Sequence, residues 1–325
     1  MPRASALITA TIGLLLAAAP AAAQTYPSRP IRFVVPIAPG GAVDYSARAL
    51  AQKLTENLHQ PVIVDNRPGG NSIIGAEFVA KAAPDGSTFL YTSSHTVVVV
   101  PLLYDKLPYD PIHDFVPVAL CCSMAQAIVV NASLHVGSVK ELVALARTEP
   151  GQLTYGSMGS GSSGHLNMEA LKEQTGIDVR HVPYKGSSPA ITDLVAGHIS
   201  MMVVMLGVVR SHIETGDLKA LAIGAPERSA LFPDVPTAEE AGLHDYDASD
   251  WMGVFAPAGT PPEIIARMNK EVVRIATDPE FIEQRLRKNA LEPPRITSPD
   301  KIREFIDGER EKRAHIVKLT GAKVD

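Results

Sequence analysis

Two glycine-rich turns hold the residues best suited to chemistry in this chain: Pro39-Gly40-Gly41-Ala42-Val43-Asp44 and Gly156-Ser157-Met158-Gly159-Ser160-Gly161-Ser162-Ser163-Gly164. Each follows a segment read as a strand and precedes one of helical period, which sets backbone N–H groups at a helix N-terminus. Glycine lets a ligand approach the backbone closely, and the aligned peptide dipoles favour negative charge there. The candidate anion seats are therefore Gly40, Gly41, Ala42, Val43 and Asp44 on one side, and Ser157, Gly159, Ser160, Gly161, Ser162 and Ser163 on the other. One such turn alone reads as an ordinary strand-to-helix loop, whereas two in corresponding positions favour a shared function. Asp44 cuts both ways: a carboxylate at this helix start either stabilises the helix or orients water and backbone groups, while competing with an anionic guest. Ser93 and His95, in the loop Ser93-Ser94-His95 after a strand, are placed to face the same cleft.

Other chemistries fit less well. Gly159-Ser160-Gly161-Ser162-Ser163-Gly164 matches the dinucleotide fingerprint in form, but that fold needs an acidic residue at the end of the following strand. Asp178 precedes that strand, and Tyr184 and Lys185 follow it. No G-x-S-x-G frames a serine and no H-E-x-x-H offers a zinc site, so neither a metal nor a cofactor is called for. His181, on a strand, reads as structural. The rival to a binding protein is an exported α/β enzyme using the same seats, with His95 as base.

The elements that must position these turns alternate strand and helix. Ile31 to Pro36 reads as a strand, and Val43, Ala47, Leu50, Ala51, Leu54 and Leu58 form one apolar helix face. Strands at Val62 to Val64 and Thr88 to Thr92 flank a helix from Ile73 to Ala82. From Thr96 to Tyr109, Val97 to Val100 favours a strand while Pro101 and Pro108 break either element. A second unit begins near Ala127, with strands at Ile128–Val130, Leu153–Ser157, Val179–Pro183, Ile199–Val204 and Lys219–Ile223. Its helices are expected at Val139–Arg147, His165–Gln174 and Pro189–Ala196. Thr260-Pro261-Pro262-Glu263 has the form of a capping box, with Thr260 as N-cap. Ser298-Pro299 opens a last, highly charged helix, expected to expose its charges and to pack on the first unit. The fold class is thus α/β, with two related lobes.

Composition agrees with a globular protein: 46% apolar, 20% charged, formal net charge -5. Lys and Arg are scattered, which leaves nucleic acid without a footprint. At the start, Arg3, the apolar run Ala6 to Ala19 and Ala21-Ala22-Ala23 have the form of an export signal cleaved near Ala23. The run is shorter than the roughly 20 residues of a membrane span. The only cysteines, Cys121 and Cys122, are not at the cleavage point, so no lipoprotein is expected. Adjacent residues sit about 3.8 Å apart at Cα, too close for an unstrained disulfide, and two buried thiols are expected.

Taken together, the motifs resemble the exported solute receptors of tripartite tricarboxylate transporters, the Bug family. The likeness rests on Pro39-Gly40-Gly41 with Asp44, Asn66-Arg67-Pro68-Gly69-Gly70 with Ile74-Gly75-Ala76, and Pro84-Asp85-Gly86. It continues through Tyr155-Gly156-Ser157 to His165-Leu166, Val182-Pro183-Tyr184-Lys185-Gly186, and Pro257-Ala258-Gly259-Thr260-Pro261. The resemblance implies a two-lobed, Venus-flytrap periplasmic binding protein, its two α/β sheets joined by two crossover strands near Met124 and Trp251. Lobe I would comprise 24–124 and 252–325, and lobe II 125–251. A ligand carboxylate would be gripped by Gly40 to Asp44 and by Ser157 to Ser163. The expected partners are a small carboxylate (a dicarboxylate, an aromatic acid or an amino acid) and membrane transporter subunits or a sensor, with the receptor itself a monomer. One departure is Met205-Leu206-Gly207-Val208-Val209, where the family often has a polar or acidic stretch. It reads either as an apolar helix start or as a pocket wall for a ligand with an aliphatic or aromatic body.

Overall fold

The computed structural model describes residues 26–321; the expected export signal lies outside them. Strands β1 (Ile31–Val35), β2 (Val62–Asn66) and β3 (Thr88–Ser93) alternate with helices α1 (Ala42–Leu58) and α2 (Ile73–Ala80). A π-helical turn, His95–Val99, then runs into α3 (Val100–Leu103) and β4 (Phe115–Met124). The second unit holds β5 (Gln126–Asn131), α4 (Val139–Thr148), β6 (Thr154–Ser157), α5 (Ser163–Thr175) and β7 (Arg180–Pro183). It ends with α6 (Ser187–Val195), β8 (Met201–Met205), α7 (Leu206–Glu214) and β9 (Leu218–Ile223). The chain returns through β10 (Asp250–Pro257) to α8 (Pro262–Ala276), α9 (Pro279–Phe281) and α10 (Pro299–Thr320).

The strands form two five-stranded sheets, ordered β2-β1-β3-β10-β4 and β7-β6-β8-β5-β9. Both are mixed. β10 runs antiparallel to β3 and β4, and β5 antiparallel to β8 and β9. These returning strands carry the chain between sheets, which gives the two-lobed fold its crossings. Only Ala125 separates β4 from β5, and Asp250, at the start of β10, lies opposite Met124.

Strand alternation buries both faces of each sheet. In the first sheet Phe33, Val35 and Tyr91 face α1 and α8 through Leu50, Leu54, Met268 and Val272. Val34, Leu90 and Phe255 face the other way, onto α2 and α10 through Val79, Ile302 and Ile306. In the second sheet Ile128, Tyr155 and Val203 pack on α4 and α5, and Val129, Met202 and Val204 on α6 and α7. Cys121 and Cys122 are buried free thiols.

Three local expectations change. Val97 to Val100 are helical rather than extended, because burial of all four outweighs their β preference and Pro101 falls in the first turn of α3, where a proline is tolerated. Thr260 does not cap α8: its Oγ1 donates to Pro257 O at 2.7 Å, and Pro261 takes the N-cap position. α10 is not solvated on its charged side throughout, since Glu309 and Arg313 are buried. α10 packs on the first sheet through Ile302 and Ile306, as expected, and also reaches the second unit: Ile316 and Val317 join Leu166 of α5 in one apolar cluster with Val99 and Leu103, and Arg313 Nη1 donates to Asn167 Oδ1.

Candidate functional site

Register places both glycine turns at the carboxyl edges of their sheets. β1 ends at Val35 just before the first turn, and β3 ends at Ser93, opposite Met252. β6 ends at Ser157 and β8 at Met205, opposite Gln126. Since Ala125 alone joins the two edges, Asp250 and Gln126 stand together at the junction, with one turn on each side. Ligands of open α/β sheets settle at this edge.

The first turn is held from beneath. Gly40 has φ +98°, and its N–H donates to Asp44 Oδ2 at 3.0 Å. The same carboxylate accepts from Arg48 Nε at 3.0 Å and from Asn66 Nδ2 at 2.9 Å. Arg48 Nη2 donates in turn to Asn66 Oδ1 at 2.8 Å. Burial by itself would raise the Asp44 carboxyl, but hydrogen bonds from Arg48, Gly40 and Asn66 outweigh it and hold the group below its ordinary range. This corrects two expectations: the Gly40 N–H is not free for a guest, and Asp44 does not confront one with bare charge, because Arg48 neutralises it. Gly41 is the N-cap of α1, with φ -84° and ψ 173°, and no side chain caps the helix. The N–H groups of Ala42, Val43 and Asp44 therefore lack intrahelical partners. Val43 can offer only its N–H, since its side chain sits in the core.

The second turn stands on a stack of rings. Tyr155 and His181 stack at 4.8 Å between centroids, and His181 and His165 at 4.2 Å. His165 Nδ1 accepts the Gly161 N–H at 3.1 Å, and Ser157 Oγ lies 2.6 Å from His181 Nε2 while accepting the Gly159 N–H at 3.1 Å. Burial and the neighbouring His165 imidazole hold His181 down at about 4, so it is neutral at physiological pH. The turn is thus built on an uncharged base. His181, read from sequence as structural, supports the candidate site from below.

Ser162 is the N-cap of α5 but makes no cap hydrogen bond, and its buried Oγ has no partner among the described residues. A Cβ on Gly164 would lie 2.6 Å from Val203 O, so α5 starts hard against β8 only because this residue has no side chain. Ser163 Oγ accepts from Gln126 Nε2 at 2.9 Å, and Gln126 Oε1 accepts from Asn167 Nδ2 at 3.1 Å. Ser160 is exposed and Gly161 is buried, where a Cβ would meet Leu103 Cδ1 of α3 at 2.9 Å. The second turn therefore touches the first unit directly.

Ser93 is buried at the end of β3. His95 is half-buried, and its Nε2 lies 3.0 Å from Asn71 Oδ1. Burial outweighs the attraction of the Asp250 carboxylate and lowers the His95 imidazole. Ser94 Oγ donates to Asp250 Oδ1 at 2.5 Å, and burial raises that carboxyl. Sequence reasoning missed Asn71, Gln126, Asn167 and Asp250. Gln126 and Asp250 become visible only through antiparallel register, and Asn167 only through contacts far along the chain. For Asn71, which follows Gly69-Gly70, the glycine pair was a usable signal: Gly69, Gly70, Asn71 and Ser72 all have positive φ.

Met205 to Val209 opens α7, with Leu206 and Val209 buried, while Met205 packs against the first unit's core. The helix-start reading of this apolar stretch accounts for its buried members. Among the described residues no group of three or more His, Cys, Asp or Glu is arranged to hold a metal ion.

Comparison with known proteins agrees with this geometry. Residues 46–322 match the family model described as tripartite tricarboxylate transporter family receptor. The chain is 38% identical to BugT of Bordetella pertussis over 322 residues, covering 98% of each. Among solved structures it is similar to Rpa4515 of R. palustris with adipate (34% identity, TM-score 0.77, 91% of this chain and 98% of that one). It is also similar to MatC of Rhodopseudomonas palustris with bound malate (31% identity, TM-score 0.73, 90% and 100%). Two sheets joined through crossing strands, a glycine turn at each carboxyl edge and these likenesses lead to one conclusion: the chain belongs to the tripartite tricarboxylate transporter receptor family, a family of solute-binding receptors and not of enzymes.

Proposed function

We propose that this protein is a periplasmic receptor that captures a small carboxylate-bearing solute between its lobes and delivers it to membrane transporter subunits or a sensor. The observation that carries the reading is the pairing of two helix N-termini, α1 and α5, neither with a side-chain cap, at sheet edges joined by Ala125. Such ends favour anions and offer N–H donors in fixed directions. The acids in the relatives' structures, adipate and malate, have the chemistry these seats fit. In this reading 1–23 is the export signal, 24–124 with 252–325 forms lobe I, and 125–251 forms lobe II. Among the described residues no helix is long and apolar enough to cross a membrane.

Closure needs only that the solute bind one arrangement of the lobes better than another. A thermal-shift screen of dicarboxylates, aromatic acids and amino acids tests the proposal. One class should stabilise the protein, by about 2.7 kcal/mol at a hundredfold excess over its Kd, and be recovered unchanged. Stabilisation by none of the three classes, or appearance of a product, would overturn the reading.

A further inference from the structure

A chain of hydrogen bonds runs from the terminal helix to the second turn. Its links are Arg313 Nη1 to Asn167 Oδ1, Asn167 Nδ2 to Gln126 Oε1 at 3.1 Å, and Gln126 Nε2 to Ser163 Oγ at 2.9 Å. Arg313, Asn167 and Gln126 are all buried, and they come from α10, α5 and the crossing strand β5. Breaking one link leaves a buried amide without its partner, so the chain holds or fails as a unit.

Chemistry gives the chain a direction. A guanidinium donates and never accepts, so the Asn167 atom that faces Arg313 is the carbonyl oxygen. The Asn167 nitrogen is thereby turned to Gln126 Oε1, and the Gln126 nitrogen is left to donate to Ser163. Ala248 O, 3.5 Å from Asn167 Nδ2, agrees with this orientation, since a carbonyl can only accept. A hydroxyl that accepts from Gln126 keeps its own proton for another partner, and Ser163 Oγ donates to no acceptor among the described residues. With both amides reversed, Gln126 Oε1 would face Ser163 and take that proton. The charged end is the strongest link, because an ionised donor makes a hydrogen bond about twice as strong as a neutral one. Glu309 Oε2, one turn earlier in α10, stands 4.0 Å from Arg313 Nε. Ser163 opens α5 beside the uncapped Ser162, at the helix end proposed to hold the solute. We infer that Arg313 is a positioning residue for solute binding: through Asn167 and Gln126 it keeps the Ser163 hydroxyl as a donor to the solute carboxylate. The inference rests on the receptor reading above.

A double-mutant cycle tests it, read by isothermal titration of the full chain with whichever of adipate, malate, benzoate and glutamate stabilises the native protein most. Ser163→Ala should weaken that acid about tenfold, and Arg313→Met, which keeps the stem but has no donor, should do the same. In the Ser163→Ala background Arg313→Met should change affinity by about twofold or less, because the hydroxyl it positions is gone. A purely structural role would instead cost the same factor in both backgrounds. If Arg313→Met fails to melt cooperatively, Asn167→Asp takes its place in the cycle: it has the same size and accepts from Arg313, but has no N–H for Gln126. Native-like affinity in the single variant, or equal losses in the two backgrounds, would overturn this inference and leave the receptor reading standing. Binding of none of the four acids by the native protein would overturn both.

Discussion

Replacing Asp44 by alanine is expected to destabilise the protein by about 2 kcal/mol and to flatten its loss of stability in acid. The carboxylate is buried and accepts from Gly40 N, Arg48 and Asn66 at 2.9 to 3.0 Å. Hydrogen bonds to a charged group contribute about 1.5–3 kcal/mol each, but Arg48 is half exposed and regains water when its partner goes, so the net loss stays near the lower end. The sign of the pH effect follows from linkage. Because the folded pKa lies below the ordinary value, the unfolded chain binds the proton more readily. The contribution is complete above the unfolded pKa, about 3.9, and is lost as pH falls through the folded one. Denaturant melts of the native protein and Asp44→Ala across that window check this: their stability difference should be constant near neutrality and shrink in acid. A difference that persists undiminished at the acid end would show that Asp44 acts through packing and not through its charge.

Gly41→Leu is expected to weaken solute binding about a hundredfold, equivalent to about 2.7 kcal/mol, while costing about 1 kcal/mol of stability or less. The two effects separate because of backbone geometry. Gly41 sits at φ -84°, where any residue is at ease, and an added Cβ would meet only Ile37 Cδ1 at 3.7 Å. A leucine there is a poorer N-cap than glycine, which sets the small stability cost. Its side chain would stand over the uncapped N–H groups of α1, where the proposed seat lies. Gly40 offers no such separation, because φ +98° strains every other residue before binding is considered. Isothermal titration with the acid that stabilises the protein most, alongside a thermal melt, measures both quantities. Equal affinity in the two proteins would remove the first turn from the site.

Much of this arrangement is local, and so it was legible in the residues. Both glycine turns, the strands before them and the helices after them follow from period and turn chemistry within about twenty residues. What sequence could not supply is long-range pairing. Phe115–Met124 has no clear alternation because it is buried on both faces, and its role as a crossing strand becomes clear only beside β10. The stack beneath the second turn needs the register that sets Tyr155 against His181. Arg313 meets Asn167 across 146 positions, which is why a charged terminal helix looked solvated yet buries an arginine between the units. The roles of Asp44 divided evenly in sequence for a related reason. Deciding between them required Asn66 and Arg48 in place, since the carboxylate's charge matters to a guest only if nothing nearby neutralises it.

In the proposed receptor a solute carboxylate lies between the N-terminal ends of α1 and α5. A crystal structure of the complex with the most stabilising acid tests it most directly. Carboxylate oxygens are expected about 3 Å from backbone N–H groups of residues 41–44 or 162–165, with the solute spanning both lobes. A carboxylate seated away from both turns, with those N–H groups left to water, would contradict it.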